Sequence, residues 1–410
     1  MKSVRRIPNI EDIKEKDFFE IKSNNTRYTH SFFKYPAKFI PEIPNWFIRN
    51  FTKENETVLD CFCGSGTSLV EASLMNRVPL GIDFDPLSRL LTKTKTTQLS
   101  RKDIQFIKNN SKQLTKFNRK RVSPKIKNLD HWFDKNNIKK LSNIIANVNT
   151  LDLPNERIRN FYLVMFASII RRSSFADNVS PKPYVSTKVK KVPKDSYELF
   201  LKEINKNLSV FKSSDLKSKK VARIIGKDAR SRISFNNLID HVITSPPYIN
   251  AFDYVRVLRL ENIWLDHFND DEILDHKKIQ IGNEIISSAE YKKIPTKLNI
   301  RSLDNKIRKL YKVDKMRAYV VLNYFIDMEK SFNQIYACMR EEGYFCIVVG
   351  NCSIRGIDID TQKYFGVILE KIGFKFVRTF NYKIKNPYLR IPRKGRGGII
   401  KRDHVIVVQK

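Results

Sequence analysis

Apolar runs that alternate with a helical pattern predict a parallel α/β sheet in the first quarter of the chain. Residues 57–61 form a short apolar run, and the loop at 62–67 separates it from a helical stretch over 68–76. A second apolar run follows at 78–83. Strand, tight loop, helix and strand in this order are typical of a right-handed βαβ unit.

The alternation stops near residue 95 and resumes near residue 221. The intervening residues 96–220 are rich in lysine, asparagine and serine, and apolar positions recur at helical spacing in 154–172. We therefore expect an inserted, mostly helical region, the basic insert, between two parts of one domain at 1–95 and 221–410.

The pattern after the basic insert predicts a return to the sheet. Short apolar runs alternate with longer helical stretches, interrupted by a charged excursion at 270–315. The predicted strands are 222–226, 241–245, 343–350, 374–380 and 404–409, and the predicted helices are 254–264, 316–339 and 361–372. The expected fold class is α/β, with a doubly wound, mostly parallel sheet and one antiparallel edge strand.

The composition of the chain indicates an acidic partner. The chain has 77 lysines and arginines against 43 aspartates and glutamates, a formal net charge of +34. Residues 101–230 hold 31 basic and 11 acidic side chains, so they carry +20 of that charge. An excess of this size favours a nucleic acid as partner, although solvated lysines in a lysine-rich proteome would give a similar count.

The sequence shows no pattern typical of a membrane segment or a metal site. No run of about 18 apolar residues is present and the charged N-terminus lacks an apolar signal region, so we expect a cytoplasmic protein. The five cysteines have neither disulfide nor zinc spacing. They fit a reducing compartment and predict no metal site.

The loop after the first predicted strand is a candidate ligand site. Gly64 and Gly66 allow the backbone to approach a ligand closely at the edge of the sheet. Asp83 ends the next strand, where a carboxylate would meet the hydroxyl pair of a ribose. Asp60 would repel phosphates and favour a cationic ligand such as a sulfonium, and no lysine follows Gly66 to reach a triphosphate.

A second candidate site follows strand 241–245, where the chain reads Ser245-Pro246-Pro247-Tyr248. The two prolines hold this turn in one rigid shape. The Ser245 hydroxyl and the Pro246 carbonyl are acceptors that would draw the hydrogens of an exocyclic amine and localise its lone pair. Tyr248 would stack on an extruded base, an interaction worth about 1–3 kcal/mol.

With these motifs the chain resembles the S-adenosylmethionine-dependent DNA amino-methyltransferases. Segments 30–40, 60–67, 81–86 and 244–248 resemble, in this order, the segment at the methionine end of the cofactor, the cofactor loop, the acidic turn at the ribose and the catalytic motif. The Ser-Pro-Pro-Tyr form is the one most often linked to N4-cytosine methylation. The resemblance implies a Rossmann-like sheet of seven strands, with target recognition in the slot of the basic insert.

The resemblance also implies which residues bind S-adenosylmethionine. The turn at 227–230 resembles the one whose acid faces the adenine amine, although Lys227 stands where the family usually has glycine. The implied cofactor-binding residues are Lys34, Tyr35, Pro36, Asp60, Phe62, Gly64, Gly66, Thr67, Asp83, Phe84 and Asp228.

Two basic segments that contain tyrosine are candidates for contact with DNA, at 180–194 and 385–402. The candidate phosphate contacts are Lys182, Lys188, Lys190, Lys191, Arg393, Lys394 and Arg396. Four residues after the catalytic turn would line either the base pocket or a solvated helix face. They are Asn250, Asp253, Tyr254 and Arg256.

The expected function is site-specific methylation of double-stranded DNA on an exocyclic amine, with N4 of cytosine favoured over N6 of adenine because of Ser245. A C5-cytosine mechanism is disfavoured, since it needs a thiolate nucleophile and no cysteine follows a proline. An RNA base methyltransferase and a non-catalytic DNA-binding module remain alternatives. In the prokaryotic restriction–modification setting usual for the family, a cognate endonuclease would be a separate protein, because no nuclease constellation is present.

Overall fold

A computed structural model describes the chain except residues 1, 5, 16, 25, 213–219, 250–252 and 386–399. Within the described residues, nine strands form one sheet and two form a separate hairpin. The strands are β1 (Lys2–Val4), β2 (Phe18–Ile21), β3 (Thr57–Asp60), β4 (Val78–Ile82), β5 (Arg223–Gly226), β6 (His241–Thr244), β7 (Tyr344–Val349), β8 (Cys352–Ile354), β9 (Ile357–Ile359), β10 (Lys375–Lys383) and β11 (Arg402–Gln409).

The helices surround this sheet and fill most of the chain between its strands. They are α1 (Glu42–Phe51), α2 (Thr67–Leu74), α3 (Pro86–Thr96), α4 (Arg101–Asn110), α5 (Leu129–Trp132), α6 (Lys135–Thr150), α7 (Glu156–Ile170), α8 (Ser196–Leu208), α9 (Tyr254–Val257), α10 (Arg259–Trp264), α11 (Ile273–Ile279), α12 (Ser288–Tyr291), α13 (Arg301–Val313), α14 (Lys315–Cys338) and α15 (Thr361–Ile372).

The large sheet is mostly parallel, and the α/β fold class is confirmed. Its strand order is β1-β2-β10-β11-β7-β6-β3-β4-β5. β11 runs antiparallel to both of its neighbours, whereas the other neighbouring pairs are parallel. Val58 and Leu59 of β3 and all four residues of β6 are buried, as expected for central strands covered on both faces.

Two details of the expected sheet are wrong. The antiparallel strand β11 lies inside the sheet rather than at its edge, and its residues 403–408 are all buried because helices and neighbouring strands cover both faces. The sheet has nine strands in the described residues rather than seven, because β2 pairs with β10 and β1 pairs with β2. These two strands have only three and four residues, too few for a periodic pattern to identify them.

The strand order reverses between β3 and β6, and this reversal positions the site. The chain runs from β3 to β4 and β5 on one side, and then returns as β6 on the other side of β3. Val58 pairs with His241 and Leu59 with Val242. In open α/β sheets, ligands bind at the carboxyl ends of the strands at such a switch point. The loop after β3 and the turn after β6 therefore lie side by side.

The basic insert is helical, and its hydrophobic core is continuous with the sheet domain. Phe133 and Phe166 belong to the insert, and both contact Trp264 of α10, with ring centroids 5.6 and 6.1 Å apart. Leu87 and Leu91 of α3 are buried in the same cluster. The core of the insert thus extends onto α3 and α10 of the sheet domain.

The charged excursion at 270–315 is also ordered. It contains α11, α12 and α13, and Leu303, Ile307 and Leu310 of α13 are buried in the core cluster on one face of the sheet. The predicted helix 254–264 is divided into α9 and α10 at Leu258, whose backbone has φ −101° and ψ 15°.

Candidate active site

A cleft of about 910 Å³, the active cleft, opens at the carboxyl ends of β3, β4 and β6. The structure brings to it most of the residues that the sequence indicated. Those that line the active cleft are Tyr35, Phe62, Gly64, Thr67, Asp83, Phe84, Asp228, Ser245, Pro246, Pro247 and Tyr248. The active cleft is not lined by Lys34, Pro36, Asp60 or Gly66.

The glycine loop is shaped by two residues with positive φ. Gly64 has φ +48° and Gly66 has φ +74°, a region that side chains rarely adopt. A Cβ at Gly64 would lie 3.3 Å from the ring of Tyr35, and one at Gly66 would lie 2.7 Å from Oγ1 of Thr92. Gly64 therefore leaves bare backbone at the cleft wall, and Gly66 lets α2 pack against α3.

Asp83 presents a carboxylate beside this loop. Its Oδ2 accepts a hydrogen bond from the Gly64 amide at 2.7 Å, and its Oδ1 accepts one from the Asp85 amide at 2.9 Å. Burial, followed by the charge of Asp85, raises the pKa of Asp83 to about 7. Each oxygen keeps a second lone pair, so the carboxylate can still accept from ligand hydroxyls.

Asp60 was expected to face a cationic ligand, but it does not line the active cleft. It is 1% exposed, and its carboxylate accepts hydrogen bonds from Ser68 Oγ at 2.6 Å, Thr244 Oγ1 at 2.6 Å and the Phe62 amide at 3.1 Å. Burial raises its pKa to about 6. Asp60 thereby joins β3, α2 and β6 behind the active cleft.

The Ser245–Tyr248 turn leaves β6 next to the glycine loop. Pro246 is buried, whereas Ser245, Pro247 and Tyr248 are half-buried at the cleft wall. The Tyr248 hydroxyl donates to Asp403 Oδ1 at 2.8 Å, which fixes the ring against β11. Burial, followed by the charge of Asp403, raises the pKa of Tyr248 well above its usual value.

The segment at 30–40 divides between the active cleft and a second cleft. Tyr35 lines the active cleft, and its hydroxyl lies 2.9 Å from Ser88 Oγ. The Tyr35 ring stacks on Tyr254, with centroids 6.4 Å apart. Lys34 and Pro36 line the second cleft, where Lys34 Nζ donates to the carbonyl of Asn178.

His30 anchors this segment rather than binding a ligand. It is fully buried, and its Nε2 lies 2.8 Å from Glu71 Oε1 of α2. Burial lowers the pKa of His30 to about 4 even though Glu71 acts in the other direction. Lys38 Nζ donates to the His30 carbonyl at 2.9 Å and lines the active cleft.

Asp228 lies at the active cleft but is already paired. Arg230 Nε donates to Asp228 Oδ1 at 3.0 Å, and Arg230 Nη2 donates to Asp228 Oδ2 at 2.8 Å. Burial raises the pKa of Asp228, but the hydrogen bonds from Arg230 outweigh it and the net shift is downward. Arg230 also pairs with Asp327 at 3.0 Å.

Several cleft residues were not identified from the sequence. Ile279, Gln280 and Ile281 come from the charged excursion, in which no periodic pattern predicted a buried wall. Lys95 lies behind the glycine loop, where it is 3% exposed and its Nζ donates to the Ser65 carbonyl at 2.5 Å. A lysine in a helix gives no sequence signal of such burial.

The four residues after the catalytic turn have separate positions. Tyr254 lines the active cleft, Asp253 caps α9 and pairs with Lys277 at 2.9 Å, and Arg256 is largely exposed. Asn250 lies outside the described residues.

The candidate DNA contacts lie on the loop between α7 and α8. Lys182, Lys188 and Lys190 are exposed there. Lys191 is half-buried, and its Nζ donates to the carbonyls of Arg171 and Ala176. Arg393, Lys394 and Arg396 lie outside the described residues.

Within the described ranges, no group of three or more histidine, cysteine, aspartate or glutamate side chains is placed to hold a metal ion. No helix in that part of the chain is long and apolar enough to cross a membrane.

The known proteins to which this chain is similar are methyltransferases. The model of the N6/N4-type DNA methylase family matches residues 1–93, which contain the segment at 30–40, the glycine loop and Asp83. The Type II methyltransferase M.MvaI of Kocuria varians is 27% identical over 407 residues, which cover 91% of this chain and 87% of that protein. The Type II methyltransferase M.BsoBI of Geobacillus stearothermophilus is 20% identical over 417 residues, covering 88% of this chain and 81% of that protein.

Among solved structures, a SAM-dependent methyltransferase from Methanosarcina mazei matches 89% of this chain and 96% of its own, with 7% identity and a TM-score of 0.31.

Proposed function

We propose that the chain, which matches the N6/N4-type DNA methylase family over residues 1–93 and is similar to M.MvaI along most of its length, methylates an exocyclic amine of a flipped base at a specific DNA site, N4 of cytosine. The proposed setting is a restriction–modification system whose endonuclease is a separate protein. The observation that carries the proposal is that the glycine loop and the Ser245–Tyr248 turn line one cleft.

The residues of the active cleft suit S-adenosylmethionine. The bare backbone at Gly64 permits close approach, and the Asp83 carboxylate can accept from the two ribose hydroxyls. Tyr35 and Phe84 add apolar surface to the same wall. When bound, S-adenosylmethionine supplies a methyl group that the sulfonium charge has already activated, so a metal is not required.

The turn after β6 would hold the amine that receives the methyl group. Ser245 Oγ and the Pro246 carbonyl accept hydrogen bonds from the two amine hydrogens, which localises the nitrogen lone pair. The prolines and the bond from Thr244 to Asp60 keep these acceptors in fixed positions before the base arrives. Serine is a weak base, so the amine proton leaves to water.

Double-stranded DNA is the proposed partner because of the charge on the basic insert. Residues 101–230 carry +20, and Lys182, Lys188 and Lys190 are exposed on one loop. Cations of this kind neutralise phosphates and release counterions. We extend the proposal to Arg393, Lys394 and Arg396 on sequence alone, and to the target-recognition role of the insert.

Sequencing the DNA of cells that express the chain, with a readout of modified bases, tests this proposal. We expect N4-methylcytosine within one short motif, identified by mass spectrometry of the nucleosides, and none in cells that express Ser245→Ala. N6-methyladenine would correct the base and keep the reaction class. Methylation of transfer RNA with unmodified DNA would overturn DNA as the substrate.

A further inference from the structure

The second cleft is a large cavity that the proposed reaction does not use. Its volume is about 1000 Å³, and it lies between the sheet domain and the basic insert. Its walls are Lys34 and Pro36, the C-terminal end of α7, residues 191–194 and the helices α9 and α10.

The two clefts share their dividing walls. Tyr35 faces the active cleft, and its neighbours Lys34 and Pro36 face the second cleft. On the other wall, Tyr254 lines the active cleft, and Val257, one helical turn further along, lines the second. Adjacent Cα atoms are about 3.8 Å apart and a helical turn rises about 5.4 Å. A nucleotide in the active cleft therefore has its flanking backbone within reach of the second cleft.

The second cleft is strongly cationic. Five basic side chains line it, and Glu261 is the acidic residue among the lining residues that the structure describes. The basic residues are Lys34, Arg171, Arg172, Lys191 and Lys194. Arg172 is paired with Glu203. Arg171 and Lys191 donate to backbone carbonyls, which fix their positions, and burial lowers the pKa of Lys191 to about 8.

Glu261 of α10 supplies a second observation that points to a ligand. It is 4% exposed, and its Oε2 has no hydrogen-bond partner among the described residues. Burial raises the pKa of Glu261 to about 7, against the lowering effect of Arg171 and with a smaller raising effect from Asp85. Lys34, Lys191 and Lys194 are the other charged groups around the cavity. When protonated, the Glu261 carboxyl is a hydrogen-bond donor at the wall of the cleft.

We propose that the second cleft binds a phosphodiester of the target strand next to the flipped nucleotide, with the basic side chains facing the phosphate and Glu261 at the wall of the site. The inference rests on the proposed function and adds to it a specific anion subsite. An ionised Glu261 would repel the phosphate, so DNA binding takes up a proton and weakens as the pH rises through 7.

The test measures the affinity of the chain for a duplex that contains the motif it methylates. Fluorescence anisotropy gives this affinity over a range of pH values and salt concentrations. For the wild-type chain, affinity is expected to fall about tenfold from pH 6 to pH 8, since about one Glu261 in eleven stays protonated at pH 8. The glutamine amide of the Glu261→Gln variant donates a hydrogen bond at every pH. This variant should therefore lose the pH-dependent part of the DNA affinity. Lys194→Ala should reduce the slope of log affinity against log salt by about 1.

Matched controls come from α8, whose Glu198 and Lys202 are exposed and line neither cleft. Glu198→Gln should keep the wild-type pH dependence and Lys202→Ala the wild-type salt slope. If the chain methylates DNA but both cleft variants behave like their controls, the phosphodiester subsite is refuted and the proposed function stands. A chain that methylates no DNA overturns the proposed function and this inference with it.

Discussion

At the scale of single residues, Asp83 is the residue that we propose binds the ribose of the cofactor. Its two oxygens accept backbone amides at 2.7 and 2.9 Å, and its pKa is raised to about 7. Ribose hydroxyls donate hydrogen bonds, and a carboxylate accepts them better than a protonated carboxyl does. Cofactor binding therefore favours the ionised form.

We expect affinity for S-adenosylmethionine to rise about tenfold from pH 6 to pH 8, because the ionised fraction of Asp83 rises by that factor around a pKa of about 7. Calorimetry in buffers of different protonation enthalpy should show proton release at pH 6. Asp83→Asn should bind more weakly and lose this pH dependence. An affinity that is the same at both pH values would show that Asp83 does not meet the ribose.

Tyr248→Ala should lose turnover while the affinity for S-adenosylmethionine stays unchanged. The reason is that the Tyr248 ring serves the base, and loss of base stacking is worth about 1–3 kcal/mol, or roughly a 5- to 150-fold loss in kcat/KM. Tyr248→Phe is the matched comparison, since it keeps the ring and removes the hydroxyl that bonds to Asp403 and Ser245. Loss of cofactor binding in a folded Tyr248→Ala protein would contradict this role.

Sequence reasoning located these residues but not all of their partners. The types and spacing of Gly64, Asp83 and Ser245 were sufficient to indicate the cleft. The role of Asp60 was not accessible, because its donors Ser68 and Thr244 belong to α2 and β6 and meet only after the sheet is assembled. For the same reason, no pattern in the sequence could show that Lys34 and Tyr35 face different cavities.

At the scale of elements, the ends of β6 and β7 determine the position of the Tyr248 ring, which we propose stacks on the base. Gly350 follows β7, and a Cβ placed there would lie 2.9 Å from Cε2 of Tyr248 and 2.7 Å from Cγ2 of Ile400. Contacts below about 3.0 Å do not occur between unstrained carbon atoms, so the ring and Ile400 would have to move. The Tyr248 ring can therefore occupy its position because Gly350 has no side chain.

We predict that Gly350→Ala lowers the turnover of the protein at least tenfold, because overpacking of about 1–3 kcal/mol displaces Tyr248. Cofactor affinity should be unchanged, as the glycine loop lies on β3. Steady-state kinetics and calorimetry measure the two effects. Gly366→Ala is a matched control, since a Cβ there meets no atom within 4 Å. Equal turnover in the two variants would disprove the constraint.

The elements also show where the sequence signal ends. Long apolar runs such as β7 and the helix α14 were predicted to within one residue at each end. The position of β11 inside the sheet and the presence of β2 depend on pairing with distant strands, and residue pattern carries little information on pairing.

At the scale of the whole molecule, the basic insert and the sheet domain share one hydrophobic core. Trp264 of α10 lies between Phe133 and Phe166 of the insert, and α3 contributes Leu87 and Leu91. The insert therefore depends on the sheet domain for its folding, even though the chain between β4 and β5 reads as a separate region.

Thermal unfolding should accordingly be a single transition, with the same midpoint by far-ultraviolet circular dichroism and by tryptophan fluorescence. Trp264→Phe should lower that midpoint and Trp264→Ala should lower it further, since truncation of a buried aromatic costs about 3–5 kcal/mol. Two transitions, of which only one moves in Trp264→Ala, would show that the insert folds by itself.

The three hydrogen bonds of Asp60 have a consequence for how the protein handles its two substrates. The bond from Thr244 joins β6, which carries the Ser245–Tyr248 turn, to β3, which carries the glycine loop, and the bonds from Ser68 and Phe62 hold Asp60 to α2 and to that loop. Under the proposed function, the distance from methyl to amine is thereby set before either substrate arrives. A change in the DNA sequence that the protein recognises need not alter this distance. Specificity can therefore diverge while the chemistry stays constant.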